Sequence, residues 1–555
     1  MMAIKKEVLG TGLLTTTFFA ILPFVTGETM HKQFNITGVC IPEKHYMVDI
    51  STKINDILKM IELGNYFVIN RPRQYGKTTT LYMLNRLLKT SKEYFPIKIS
   101  FEGIGQEGFQ SCAIFIEELF NLLKKLFINS GEEKLVTFIE TTPIPDRFSK
   151  LDSWIGQLVK KVGKKIVLLI DEVDKSSNNQ LFLDFLGMLR NKYLQRDEDG
   201  SLTFHSVILA GVHDVKSLKT KLRTDAEAKL NSPWNIATDF EVDLSFFPAE
   251  IVSMLDDYAQ ERSVKIDSPV IAEQIYYYTS GYPFLVSHLC KIFAEEILPQ
   301  KAVQEWCLDD TNRAAQLLLK KYNTNVESLT TNLGNNPDLY NLVFDVVINQ
   351  VKIEFSRHNE VIAKGVLYGV FSQEAGDLKI HNRLYEQLIY DYMSINLIVS
   401  GAISLSKYDT LSHYLLADGS LDMERVILKF QQFMAEQYAI KDREFIERNG
   451  RLLFLTFIKP IINGKGFDFK EAQISGEKRI DVTIAFGNKK YIIELKLWRG
   501  EVYHQEGIHQ LNDYLDRQHE TSGYLLIFDL RKESGQVGKA ETIATNGKKI
   551  LAAWV

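Results

Sequence analysis

Cysteine is scarce: four in 555 residues (Cys40, Cys112, Cys290, Cys307), far apart and in no Cys-x-x-Cys or Cys/His cluster. That spacing argues against a disulfide framework and a zinc module and fits a reducing compartment. A basic excess is also missing. With 65 Lys and Arg against 70 Asp and Glu the formal net charge is −5, so contact with nucleic acid has to come from local patches, not from the whole chain. No internal repeat or low-complexity tract is present, which sets aside solenoid and disordered architectures. One uncharged run stands out, Val8 to Gly27 behind Lys5-Lys6. It has the outline of a signal or anchor, yet it is rich in Thr and Gly, contains Pro23, lacks an A-x-A cleavage site, and is followed at once by Met30. Residues 1–29 are therefore expected to be a leader or a start-site artefact, with an anchor or a signal as the alternatives, and no stable membrane partner is expected.

What is present is ordinary globular material, 45% hydrophobic and 24% charged, in a chain long enough for roughly three or four domains. Apolar residues at helical spacing predict a helix over Tyr46 to Ile61. Strand patterns follow at Tyr66 to Asn70, Pro96 to Phe101, Lys165 to Ile170 and Phe204 to Gly211, with a further one expected at Phe240 to Leu244. Strands alternating with helices predict an α/β fold with a doubly wound parallel sheet over residues 30–247. Residues 248–324 read as a helical lid. Residues 325–402 mix helices with a hairpin near Ala375-Gly376-Asp377, in a winged-helix-like order. A linker is expected at 403–420, then a helix from Leu421 to about Arg448, opening an α/β domain over 421–555.

Between the first strand and its helix lies Arg71-Pro-Arg73-Gln-Tyr-Gly76-Lys77-Thr78-Thr79. A loop that leaves a strand and opens a helix with Gly-Lys-Thr is a phosphate-binding loop: backbone N–H groups and the helix N-terminus cradle phosphates. Arg73, Gly76, Lys77, Thr78 and Thr79 are the residues expected to hold ATP, with Lys77 reaching the β- and γ-phosphates and Thr78 ligating Mg²⁺. Arg71 stands where the usual motif has its first glycine. The buried strand Leu168-Leu-Ile-Asp171-Glu172 supplies the other half: Asp171 supports Mg²⁺ through water, and Glu172 polarises the attacking water. His213, after the next strand, stands where such enzymes carry a γ-phosphate sensor, and reads equally as a loop histidine.

A second chemistry is written near the end, in Arg479-Ile-Asp481-Val-Thr-Ile-Ala-Phe-Gly487-Asn488-Lys-Lys-Tyr-Ile-Ile-Glu494-Leu-Lys496. Two β-rich runs flank Gly487-Asn488, a pair suited to a two-residue hairpin turn. Closing the hairpin there pairs residues whose numbers sum to 975, setting Asp481 across from Glu494 with Lys496 on the same face. Two carboxylates and a lysine suit a Mg²⁺-dependent phosphodiesterase, Asp481 and Glu494 holding the metal. Glu494 and Lys496 also interrupt an otherwise apolar strand, where unpaired charge is costly.

Residues from about 30 to 300 resemble the bacterial AAA-ATPase-like family. The likeness rests on Phe34-Asn-Ile-Thr-Gly-Val-Cys-Ile-Pro-Glu-Lys-His-Tyr-Met-Val-Asp49, the Arg-Gln-Tyr-Gly-Lys-Thr-Thr-Thr loop, Asn231-Ser-Pro-Trp-Asn-Ile-Ala237 and Thr279-Ser-Gly-Tyr-Pro-Phe-Leu285. It implies a P-loop NTPase of the AAA/STAND kind with Gly281-Tyr-Pro283 at the lid, and makes Arg71 a family trait. The hairpin resembles the PD-(D/E)XK nuclease superfamily, with Ile480 in place of the usual proline. That likeness implies Asp481, Glu494 and Lys496 as catalytic residues and Glu447, with Glu444 as competitor, as an additional helical acid. Gln510 and Tyr514, one helical turn apart, are similar to the Q-x-x-x-Y helix of the RecB-like branch, where they help to position DNA. The expectation is a cytoplasmic ATPase, dependent on ATP and Mg²⁺, that gates cleavage of DNA by its last domain. The alternative is a nucleotide-switched scaffold whose last domain binds nucleic acid or protein without cutting. No arginine finger stands out, so the choice between monomer and homo-oligomer is left open.

Overall fold

The structure is a computed structural model that describes residues 31–173, 180–211, 236–321, 323–348, 351–399, 414–438, 443–462, 466–469, 482–486, 489–531 and 538–555. His213, Asp481, Gly487 and Asn488 lie outside the described residues, as does the side chain of Glu447.

The first sheet holds β1 (Tyr66–Asn70), β2 (Tyr94–Ser100), β3 (Lys165–Asp171) and β4 (Ser206–Gly211) in the order β1-β4-β3-β2, all parallel. Its strands are apolar on both faces because helices cover both: Phe67, Ile69, Val167 and Leu169 join one buried cluster, and Tyr66, Val68, Ile166, Leu168 and Ile170 another. The strand expected at Phe240 to Leu244 does not form. A single parallel bridge, Phe67 with Thr238, continues the sheet beyond β1, and the carbonyls of Phe240 and Val242 are taken by Arg71 instead. The first helix also begins later than its apolar spacing suggested, at Ser51–Glu62.

The lid is four helices, Pro248–Arg262, Ser268–Thr279, Pro283–Ile292 and Leu308–Lys320, joined by the short parallel pair β5 (Lys265–Ile266) and β6 (Glu305–Trp306). The next unit has helices Thr324–Gly334, Pro337–Val347 and Glu360–Leu367, the hairpin β7 (Phe371–Glu374) and β8 (Asp377–Ile380), and the helix Arg383–Val399. Ala375 (φ 50°) and Gly376 (φ 91°) make the hairpin turn, where two consecutive positive φ values fit the twist of the strands.

The last unit is a six-stranded mixed sheet of β9 (Gly466–Phe469), β10 (Val482–Phe486), β11 (Lys489–Leu497), β12 (Ser522–Phe528), β13 (Ala540–Thr545) and β14 (Lys548–Trp554), in the order β13-β14-β12-β11-β10-β9. The helix Glu501–Gln518 crosses over between the parallel strands β11 and β12. The single helix expected over Leu421 to Arg448 is two, Met423–Gln437 and Arg443–Ile462. Glu447 therefore sits near the start of the second helix, not near the end of one long helix. The end of the expected linker packs on this sheet: Tyr414 is buried, Tyr491 Oη accepts from Leu421 N at 2.8 Å, and Lys489 pairs with Asp418 at 2.9 Å.

Candidate functional sites

The first site lies where β1, β4 and β3 end on one edge of their sheet, the edge at which parallel α/β sheets bind ligands. After Asn70 the chain turns into the helix Lys77–Thr90, with Gln74 (φ 56°) and Gly76 (φ 78°) in the left-handed region. Lys77 Nζ donates to the carbonyls of Arg71 and Pro72, both at 2.8 Å, and Thr80 Oγ1 donates to Gly76 O at 3.0 Å. Thr79 Oγ1 accepts from Cys40 N at 3.1 Å, tying the N-terminal segment to the loop. Thr78 is partly buried beside Lys77, and the Arg73 side chain is exposed.

Arg71 does not enter the cradle. Its Nη2 donates to Val242 O at 2.7 Å and its Nη1 to Asn70 O at 3.0 Å, while the guanidinium carbon lies 5.2 Å from the Phe240 ring centroid. Burial lowers its pKa. The residue that replaces a glycine is thus a clamp on the segment beside β1.

Asp171 ends β3 and is 3% exposed. The pairings of Val68 and of Ile170 with Leu209 set it level with Ile69, two strand spacings or about 10 Å from the strand that feeds the loop. Its carboxylate accepts from Glu172 N at 3.0 Å. Glu172 takes φ 56°, a conformation that costs a non-glycine residue about 1 kcal/mol or more and concentrates at functional sites.

Lid and hairpin unit both grip the loop. A Cβ on Gly281 (φ 72°) would lie 2.2 Å from Phe246 O, and Phe246 N donates to Gly281 O at 2.8 Å. This close passage aims the next two residues at the loop: Tyr282 Oη donates to Arg73 O at 2.5 Å, and Pro283 Cγ lies 4.0 Å from where a Gly76 Cβ would be. Tyr75 Oη bonds Ser245 Oγ at 2.7 Å and His381 Nε2 at 3.0 Å, and Gln74 Nε2 donates to Thr324 Oγ1 at 2.9 Å. Burial pushes the Tyr75 and Tyr282 hydroxyl pKa values up and that of His381 down to about 4. Sequence reasoning missed Tyr75 and His381. Tyr75 is hidden inside the motif, and His381 carries no signal beyond its place between a hairpin and a helix.

The second site lies on β11. The β10–β11 pairs run from Phe486 with Lys489 to Val482 with Ile493, each summing to 975 as expected; the next pair in that register would take residue 481, outside the described residues, to Glu494. Glu494 is 3% exposed and pairs with Lys496 Nζ at 2.9 Å. Lys496 Nζ donates on to Gln510 Oε1 at 3.0 Å, and Tyr514, one turn later, is buried among Ile492, Leu511 and Leu525. Three of the expected residues thus form one polar chain beneath the crossover helix. Among the described residues no three His, Cys, Asp or Glu come together as a metal cluster.

A family model described as an AAA-like domain matches residues 44–391, and one described as a domain of unknown function (DUF8371) matches residues 429–532. No curated protein matches the chain. Among solved structures, a Walker-type ATPase of Pyrococcus abyssi is similar at 13% identity, over 64% of this chain and 99% of that one, with a TM-score of 0.44. The RuvB Holliday junction branch migration motor of Thermotoga maritima is similar at 12% identity, over 64% and 98%, with a TM-score of 0.33. The Aeropyrum pernix ORC2 protein, solved in ADPNP and ADP complexes, is similar at 12% identity, over 63% and 93%, with a TM-score of 0.33. These are distant likenesses. Among the described residues no helix is long and apolar enough to cross a membrane.

Proposed function

The chain belongs to the AAA-like domain family, and from that premise we propose that it hydrolyses ATP with Mg²⁺ and uses the cycle to control a Mg²⁺-dependent nuclease in its last domain, with DNA as substrate. The donor set of the first site fits Mg²⁺·ATP: the Lys77 ammonium and the helix N-terminus for phosphate, the Thr78 hydroxyl and the Asp171 carboxylate as hard oxygen donors. Glu172 is the water-polarising base, and Arg73, Gly76 and Thr79 complete the cradle. His213 remains the candidate sensor.

The observation that carries the nuclease reading is the chain Glu494–Lys496–Gln510. A carboxylate and an ammonium are retained on an apolar strand and held there by a helix residue, with Tyr514 packed behind. Glu494 with Asp481 would bind the metal, Lys496 would stabilise charge developing on phosphate, and Glu447 would add a further acid. Control by ATP is supported by continuous packing. His381 touches the loop through Tyr75 and opens the helix Arg383–Val399. That helix meets Arg443–Ile462 through the Lys459–Asp391 ion pair at 2.5 Å. On the far side, a Cβ on Gly450 would lie 2.9 Å from Phe528 of β12. A cytoplasmic location belongs to the same proposal, and the choice between monomer and homo-oligomer stays open.

One observation favours the scaffold alternative. Glu494 and Lys496 neutralise each other at 2.9 Å, so the pair is stable without a metal. Incubating the protein with linear, circular and single-stranded DNA, with Mg²⁺ or Mn²⁺ and with or without ATP, separates the two. Cleavage that is lost in Asp481→Ala and altered by ATP supports the nuclease. No cleavage under any condition, or cleavage surviving Asp481→Ala, leaves the scaffold.

A further inference from the structure

Beyond Lys496 the chain leaves β11 through Trp498, Arg499 and Gly500 before the crossover helix begins. Trp498 is two residues past Lys496 on the same face, about 7 Å along the strand. In the first turn of the helix, Tyr503 is 47% exposed and Val502 75% exposed. A small pocket, about the size of one water, lies beneath Tyr503 between Lys496, Trp498 and His504, and is closed by the buried Leu525 and Ile527. Two guanidinium groups flank the rings: Arg531 lies 4.8 Å from the Trp498 centroid and Arg499 lies 6.0 Å from that of Tyr503. Arg531 is committed to Asp529 at 2.6 Å, whereas Arg499 makes no ion pair among the described residues. Under this surface His504 is 8% exposed, sits between Trp498 and Trp554, and has no hydrogen-bond partner at Nδ1 among the described residues.

A half-exposed tyrosine with the Arg499 guanidinium over its ring supplies both halves of a nucleotide contact, a stacking group for the base and a charge for the phosphate. A base inside a duplex is stacked on both sides and offers no face, so only an unpaired nucleotide can use the ledge. The exposed Glu501 and Glu506 on the same helix disfavour a long phosphate track, which limits the footprint to about one nucleotide. Resting on the nuclease reading above, we infer that Tyr503 and Arg499 hold an unpaired nucleotide next to Lys496. The strand thus enters the Glu494–Lys496 site as a single strand or a frayed end, and the interior of a duplex is excluded.

The test uses the full chain with Ca²⁺ in place of Mg²⁺. Fluorescence anisotropy compares a labelled single-stranded oligothymidylate, the matching oligouridylate and the same thymidylate paired in a duplex. Single strands are expected to bind more tightly than the duplex. Tyr503→Ala should weaken them about tenfold while Tyr503→Phe retains binding, and Arg499→Gln should weaken them and flatten the salt dependence. Equal weakening for both oligonucleotides assigns the ledge to either sugar; weakening for one alone assigns it to that one. If Tyr503→Ala binds like the unaltered protein, or the duplex binds as well as the single strand, the inference is overturned. A second copy of the chain as occupant also overturns it, shown by Tyr503→Ala changing the sedimentation coefficient with no change in oligonucleotide binding. A cleavage assay on the same samples keeps the two readings apart. Tyr503-dependent binding without cleavage in Mg²⁺ overturns the nuclease and keeps the ledge, whereas cleavage indifferent to Tyr503 does the reverse.

Discussion

The two candidate sites are built on opposite plans. At the first, the candidate groups sit on a loop, and three separate units converge to hold it: the segment around Ser245, the lid through Tyr282, and the hairpin unit through His381. At the second, the described candidate side chains Glu494 and Lys496 share one strand, and Gln510 of the crossover helix accepts a hydrogen bond from Lys496. A site on a loop has to be braced from outside, because a loop has no ladder to fix it. A site on a strand inherits its geometry from the sheet register. Damage at the first site should therefore spread between units, and damage at the second should stay local.

The largest expected effect is at Lys77. Replacing it by Ala removes the ammonium the loop brings to the β- and γ-phosphates, and phosphate release should fall about 10²–10³-fold, the usual loss for one preorganised donor. Turnover unaffected by the change would remove the loop from the chemistry. The melting temperature should fall only modestly, through loss of the partly buried hydrogen bonds to the Arg71 and Pro72 carbonyls.

Gly281→Ala tests the bracing. The added methyl would meet Phe246 O at 2.2 Å on a residue that already needs positive φ. Overpacking and backbone strain together should cost about 3 kcal/mol of stability, read by thermal or denaturant unfolding. If the loop depends on the lid, ATP affinity falls with it. Full ATP affinity in a destabilised variant would mean that Tyr282 and Pro283 merely lie nearby.

Much of this was legible in advance because the signals are local. Gly76-Lys77-Thr78 and the buried strand ending in Asp171 follow from spacing and polarity, and the hairpin register from the position of one turn. What was not legible depended on tertiary partners. Arg71 looks like a defect in a motif until its reach to Val242 is seen, and that same reach is why Phe240 to Leu244 is not a strand. The polar bond from Tyr75 to His381 joins residues 306 apart in the chain, and no periodicity records it.

His381 gives the bracing a pH signature. Its pKa is lowered to about 4, chiefly by burial, with Asp243 opposing, against about 6.5 in the unfolded chain. The unfolded state therefore binds the proton first, so stability is full above about pH 6.5 and is lost as pH falls toward 4, by up to about 3 kcal/mol. His288, lowered to about 4 by burial as well, contributes in the same window. His381→Gln should flatten part of the acid loss between those values. An unchanged profile would show that the hairpin unit does not clamp the loop through this residue.

The smallest effect expected belongs to the second site and is the one that separates the plans. Lys496→Ala leaves the Glu494 carboxylate, 3% exposed, without the ammonium 2.9 Å away. Losing a charged hydrogen bond of this kind should cost about 2 kcal/mol, tempered because Lys496 is partly exposed. Adding Glu494→Gln to Lys496→Ala removes the buried carboxylate's charge and should return part of that stability, a coupling read by a double-mutant cycle. ATP turnover should stay within twofold throughout, since a site fixed by sheet register has no reason to disturb the loop. If turnover instead falls in step with stability, the packing from Phe528 through Gly450 and Asp391 back to His381 carries strain in both directions, and the local character assigned to the strand site is wrong.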